Sequence, residues 1–323
     1  AGSVSGRIFP ARGRGMKTSD GRTAAAVSRG DVLAPGLIAV LGAALWAGST
    51  FVPTSLPFFL PYEFSWLIYL AISVSGYWFL RGLRRMPADD RPPVWRRAAF
   101  FAGLALLWTV TQTQFEFLAQ RMFFTNRLQH VAMHHVGAML VALGWAGPAI
   151  LAGGPDWLRR IFGNRYLRST VSVVQHPAVA ALLFVGLFYF WLIPPVHFRA
   201  MLDPVLYQVM NWSMVVDGIL FWTLVVDPRP TGVARVSYGV RAALAIGVMF
   251  PQIVLGALIT FAERDLFPYY AFCGRYFPSI GAVADQQIGG IVIWIPPAMM
   301  SVIALLIVVR NMMREQDAKH LSR

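Results

Sequence analysis

Three histidines stand close together in the run His130, Val131, Ala132, Met133, His134, His135, at the mouth of a long apolar stretch. An imidazole buried in hydrocarbon is costly without a partner, so the cluster asks for a metal, a proton path or a carboxylate. On a helix, 130 and 134 are i and i+4 and 133 is i+3 from 130, so two imidazoles and the Met133 thioether share one face. That set suits a soft or borderline ion, notably Cu(I). Hydrogen bonds to another helix or to water would satisfy the same residues, and haem ligation by His130 or His134 is a third chemistry. His135 points about a quarter-turn away on a regular α-helix.

A second apolar run carries Met210, Asn211, Met214 and Asp217 at helical spacing. Asp217 lies roughly 18 Å along that helix, where a carboxylate needs a partner or must keep its proton. Methionine fills gaps in apolar helices routinely, so Met210 and Met214 read equally as packing or as thioether ligands. Glu116 precedes the histidine run and Glu263 precedes the last loop. The final apolar run opens with Asp285, Gln286, Gln287, Ile288, Gly289, Gly290 and continues to Trp294 and Pro296. Asp285 can cap a helix there, the glycine pair permits close approach of a neighbour, and Pro296 is expected to break the hydrogen-bond ladder. The single cysteine, Cys273, cannot make an intramolecular disulfide or a paired-thiol copper site.

The elements that must hold these residues follow from composition. A chain of 323 residues with 57% hydrophobic and only 13% charged side chains reads as a polytopic membrane protein. Eight stretches are long enough to cross a bilayer as helices: 37–57, 63–80, 98–118, 128–151, 177–194, 205–226, 240–261 and 287–309. The expected fold is all-α, a transmembrane bundle of about eight helices, with seven possible. Continuous apolar runs, rather than short alternating ones, argue against a barrel. With the N-terminus inside, all but five of the 28 Lys/Arg fall on inside segments; the five are Arg121, Arg127, Arg199, Arg264 and Arg275. This bias predicts N-in and C-in. It also explains the net charge of +13 by contact with anionic lipid, so nucleic acid is not expected as a partner. The expected organisation is a flexible basic tail over 1–35, a helical membrane domain over 36–310 and a cytoplasmic tail over 311–323. No nucleophile with a base, no phosphate loop and no dinucleotide fingerprint is present in the sequence, so an enzyme is not expected.

Several runs together resemble one family. Asp285, Gln286, Gln287, Ile288, Gly289, Gly290 with Trp294 and Pro296 is similar to the signature of the bacterial cytochrome c oxidase assembly factors of the CtaG type. Upstream, Arg97, Ala98, Ala99, Phe100, Phe101, Ala102, Gly103, Leu104 leads to Leu128, Gln129, His130, His134, Gly144 and Pro148 in the family's order. His176 to Ala180 and Gly218 to Trp222 add two further matches, so the resemblance covers roughly 95–300.

The resemblance implies a multi-pass inner-membrane protein that helps to assemble a haem-copper oxidase, with copper as cargo and an oxidase subunit or another membrane complex as partner. It makes His130 and His134 the paired histidines and Asp285 the acidic residue before the last helix; Met133, Met210 and Met214 complete the candidate metal set. The sequence departs from the family pattern at Leu192 and Asn211, where it commonly has histidine, and Tyr207 stands near a third such place. Two consequences follow as expectations. Either thioethers replace the missing imidazoles, which favours Cu(I), or the chain is a structural or accessory subunit that has lost the site.

Overall fold

The computed structural model describes residues 29–321, and these form helices with no strand among them. The all-α membrane bundle expected from the apolar runs is therefore what the chain builds. Helix α1 spans Arg29–Phe51 and α2 Trp66–Arg85. Helix α3 spans Val94–Gln112, and the short α4, Gln114–Arg121, follows it. The histidine run lies on α5, Phe123–Val131, a π-helical stretch over Ala132–Gly137, and α6, Ala138–Gly144. After α7, Gly147–Gly153, come α8, Asp156–Gly163, and α9, Arg165–Val174. Then follow α10, Pro177–Trp191, α11, Pro194–Leu202, and α12, Pro204–Val225. The chain closes with α13, Tyr238–Gly247, α14, Met249–Thr260, α15, Tyr269–Phe272, and α16, Ala282–Leu321.

Helices stand at all eight expected places, but only some carry the composition of a free-standing span. Among the described residues, four are long and apolar enough to cross a membrane, or six if each sharply bent pair counts as one. The fourth expected span is such a pair. It starts five residues early, at Phe123, and bends by 65° past Trp145, which takes the left-handed φ of 47°. Helices α3 and α12 are long enough to cross, yet their apolar residues are diluted by Arg96 and Arg97 in one and by Asn211 and Asp217 in the other. Protein rather than lipid surrounds the polar positions of α12, since Asn211 and Asp217 are both buried.

Three expectations shift at the ends. Residues 1–28 of the expected tail lie outside the described residues, and from Arg29 onward the chain is already helical. Residues 311–321 continue α16 without interruption, and Glu315 accepts the backbone N–H of Thr231 at 2.9 Å, so this stretch holds the loop after α12. Pro296 and Pro297 both sit inside α16 and do not end it. A membrane helix tolerates the lost donors where neighbours pack around the freed carbonyls.

Between apolar helices in lipid there is little hydrophobic drive to associate, so close backbone approach and interhelical hydrogen bonds must hold the bundle. The chain supplies both. The ring of Phe123 and the backbone of Thr260 occupy the space that side chains would need at Gly289 and Gly290, which seats α16 on α5 and α14. One apolar cluster gathers Phe184, Phe221 and Trp222 with Ala138 and Ala304; another gathers Phe123, Phe188, Met210 and Met214 with Ile293. The histidine stretch passes from the second cluster to the first.

Candidate functional site

Helix α5 begins seven residues before His130, which places the first imidazole about 10 Å along the axis rather than at the mouth. Its start is secured from far away in sequence. Both carboxylate oxygens of Asp285 accept backbone N–H groups, from Phe123 at 2.9 Å and Phe124 at 2.8 Å. Those are orphan donors of a helix N-terminus, where a negative charge is also favoured by the dipole. Arg275 pairs with the same carboxylate. Asp285 thus caps α5 rather than its own helix, and its two oxygens are engaged there.

The π-helical stretch decides where the histidines point. An i→i+5 turn takes in more residues than an α-turn, so consecutive residues spread over a wider inward arc. His130, His134 and His135 are all fully buried, and the rings of His134 and His135 stand 4.9 Å apart. The quarter-turn offset expected for His135 on a regular helix does not take it out of the interior.

Each imidazole meets a polar group from another helix. His130 Nε2 lies 3.2 Å from Asn211 Oδ1, His134 Nε2 lies 3.1 Å from Asp217 Oδ2, and His135 Nε2 lies 3.2 Å from Gln252 Oε1. With Asp217 ionised, all three facing atoms are acceptors, so a ring that donates its Nε2–H keeps a lone pair on Nδ1. In all three rings Nδ1 is buried without a hydrogen-bond partner. A metal-binding histidine commonly has one nitrogen held by an amide or carboxylate and the other free to ligate.

Helix α12 crosses this stretch closely. A side chain at Gly218 would collide with the carbonyl of His134, and the Trp222 indole donates to that same carbonyl at 3.1 Å. Positions 211, 214 and 218 share one face of α12. Along that face Met214 lies between Asn211, which meets His130, and Gly218, which meets the His134 carbonyl. Met210 packs in the same cluster as Met214, whereas Met133 packs with Leu107, Val110 and Ala132 in a different one. The six candidate metal residues therefore divide: His130 and His134 are hydrogen-bonded to α12, Met210 and Met214 share one apolar cluster, Met133 packs in another, and Asp285 stands at the start of α5.

No three His, Cys, Asp or Glu side chains converge as a metal site among the described residues. The side chains of His130, His134 and Met214 carry the nitrogen and sulfur donor types that Cu(I) prefers.

Comparison with known proteins decides the family. A family model for the cytochrome c oxidase caa3 assembly factor (Caa3_CtaG) matches residues 77–315, most of the chain. The chain belongs to this family. No curated protein and no solved structure matches it.

The matched region contains the buried histidines with the polar groups around them, some of which the sequence alone did not single out. Gln129 donates to the Val110 carbonyl at 2.7 Å and to Glu116, and accepts from the Tyr207 hydroxyl at 3.2 Å. Glu116 is thereby held in a network beside the histidines. Asn211, a departure from the expected histidine, is the group that orients His130. His197 on α11 faces the Tyr270 hydroxyl at 3.0 Å. Gln252 was legible in principle as an amide inside the apolar α14, where a polar side chain is a functional candidate by default. His197, Arg127 and Tyr270 carried no such signal, because each lies near a loop in sequence and is buried only by the fold.

Proposed function

We propose that this assembly factor holds Cu(I) as cargo for a haem-copper oxidase, binding the ion through Nδ1 of His130 and His134 with Met214, and Met210 beside it. The observation that supports this reading is the shared state of the two imidazoles: Nε2 tied to α12, Nδ1 buried and unpartnered. Asp217 on His134 raises the electron density of that ring and supplies the negative charge that a bound cation needs in hydrocarbon. The role is binding and transfer rather than catalysis. Positive-inside bias supports an N-in, C-in placement in the inner membrane, with cargo entering from the outer side and passing to an immature oxidase subunit.

The test is the copper content of the purified chain under reducing conditions, beside a His130→Ala/His134→Ala double variant. Copper retained by the first and lost by the second is the expected result. Equal copper near background in both would falsify it. A second reading, a structural or accessory subunit, is favoured by the fact that every one of these imidazoles also makes an interhelical hydrogen bond. Stoichiometric co-purification with a mature complex, without copper, is its signature.

A further inference from the structure

Helix α2 ends at Arg85, α3 begins at Val94, and α16 runs past Val309 to Leu321. These ends border a cavity of about 340 Å³, lined by Met86 after α2, Trp95 and Arg96 on α3, Trp145 after α6, and Arg314 on α16. Its volume falls in the range of small-ligand pockets, roughly 300–1,000 Å³. Ala149 in its wall is buried, whereas Trp95 and Arg314 are exposed, so the cavity opens past the latter two. Its described lining includes four prolines, whose fixed φ holds the shape before anything binds.

The guanidiniums here differ in how they are neutralised. Arg229 lies 5.2 Å from the Trp145 ring, and both oxygens of Asp227 are engaged by it. Arg96 lies 4.9 Å from the Trp95 ring, and Asp227, whose charge it feels, is already taken by Arg229. Among the described residues no carboxylate forms an ion pair with Arg96 or Arg314, although Arg81, Arg159, Arg229 and Arg275 each have one. Glu315, next to Arg314 in sequence, is held by Thr231 and Lys319 instead. The carboxylate in the described lining is Asp90, so two guanidiniums face one negative group and one positive charge is left over.

We propose that this cavity binds the phosphodiester head group of an anionic phospholipid such as phosphatidylglycerol, with Arg96 and Arg314 meeting the phosphate from α3 and α16. A phosphodiester carries a single negative charge, which matches the surplus, whereas a free phosphate monoester carries nearly two. The planar guanidinium fork matches two phosphate oxygens. Tryptophan favours the membrane interface, and basic pockets between membrane helices suit anionic head groups. The site is separate from the copper reading and does not rest on it.

The full-length chain, freed of lipid in a neutral detergent, is titrated with phosphatidylglycerol or phosphatidylcholine, and bound lipid is counted by native mass spectrometry. Phosphatidylcholine has the same phosphodiester with a cation attached, and it is expected to bind about tenfold more weakly. Arg96→Gln/Arg314→Gln should weaken phosphatidylglycerol binding by about tenfold, and Asp90→Asn, which removes the opposing charge, should tighten it by about threefold. Arg160→Gln/Arg165→Gln takes the same charge from α8 and α9, outside the cavity, and should leave the affinity unchanged. Equal binding of the two lipids, equal loss from both arginine pairs, or no gain from Asp90→Asn overturns the proposal. Inorganic phosphate that displaces the lipid at equal concentration would make the occupant a soluble anion and overturn it as well.

Discussion

Asp285 accepts the backbone N–H of Phe123 at 2.9 Å, across 162 residues of chain, and so ties the last helix to the start of the helix that carries His130. The contact gives a physical role to the acidic residue of the Asp-Gln-Gln run. Replacing Asp285 with Ala removes the cap of α5 and leaves Arg275 with Asp265 alone, at 3.8 Å. A cap alone is worth about 1 kcal/mol, and breaking a buried ion pair costs roughly 3–5 kcal/mol. Asp285→Asn, which keeps one acceptor, should fall between wild type and Asp285→Ala in thermal unfolding of the detergent-solubilised chain.

Gly218 sets the distance between α12 and the histidine stretch. A methyl group there meets the His134 carbonyl and Ala138, both fixed by their helices, so Gly218→Ala should destabilise by about 1–3 kcal/mol. Gly186→Ala on α10 is the control. Nothing lies within 4 Å of that position, and better helix propensity should make the change neutral or stabilising. Comparable losses from both substitutions would show that the close crossing at Gly218 has no special weight.

Asp217 holds Nε2 of His134 at 3.1 Å. Asp217→Asn preserves an acceptor of the same shape and removes the charge. On the copper reading it should lower Cu(I) affinity by about 10–100-fold while leaving the helical content unchanged. Competition against a chromogenic Cu(I) chelator measures the change. An affinity equal to that of wild type would mean that the His134–Asp217 pair serves only to join two helices.

Two of the candidate methionines, Met133 and Met214, can be separated by one conservative change. Met→Leu keeps volume and apolarity and usually costs less than about 1.5 kcal/mol, but it removes the sulfur. Met214→Leu should reduce copper retention, and Met133→Leu should not, because Met133 packs in the cluster of Leu107 and Val110 and Met214 in a different one. Copper-to-protein ratios of the two variants, purified side by side under reducing conditions, decide between them.

The sequence by itself determined the all-helical membrane bundle, because long apolar runs with charges confined to their ends leave the backbone no other way to satisfy its hydrogen bonds in lipid. Residue order also carried the family, and the i,i+4 step of His130 and His134 was enough to put both on one face. Tertiary structure alone decided what those residues meet. Whether Asp217 finds His134, whether Asn211 replaces an imidazole or orients one, and whether Asp285 caps its own helix or α5 depend on contacts between residues 81 to 162 positions apart. Local spacing cannot encode such pairings, since they arise from how whole helices cross. His135 shows the same limit within one helix: the π-helical stretch that carries it packs against α3 and α12 with His135 inside, and a 3.6-residue period read from the sequence turns it away.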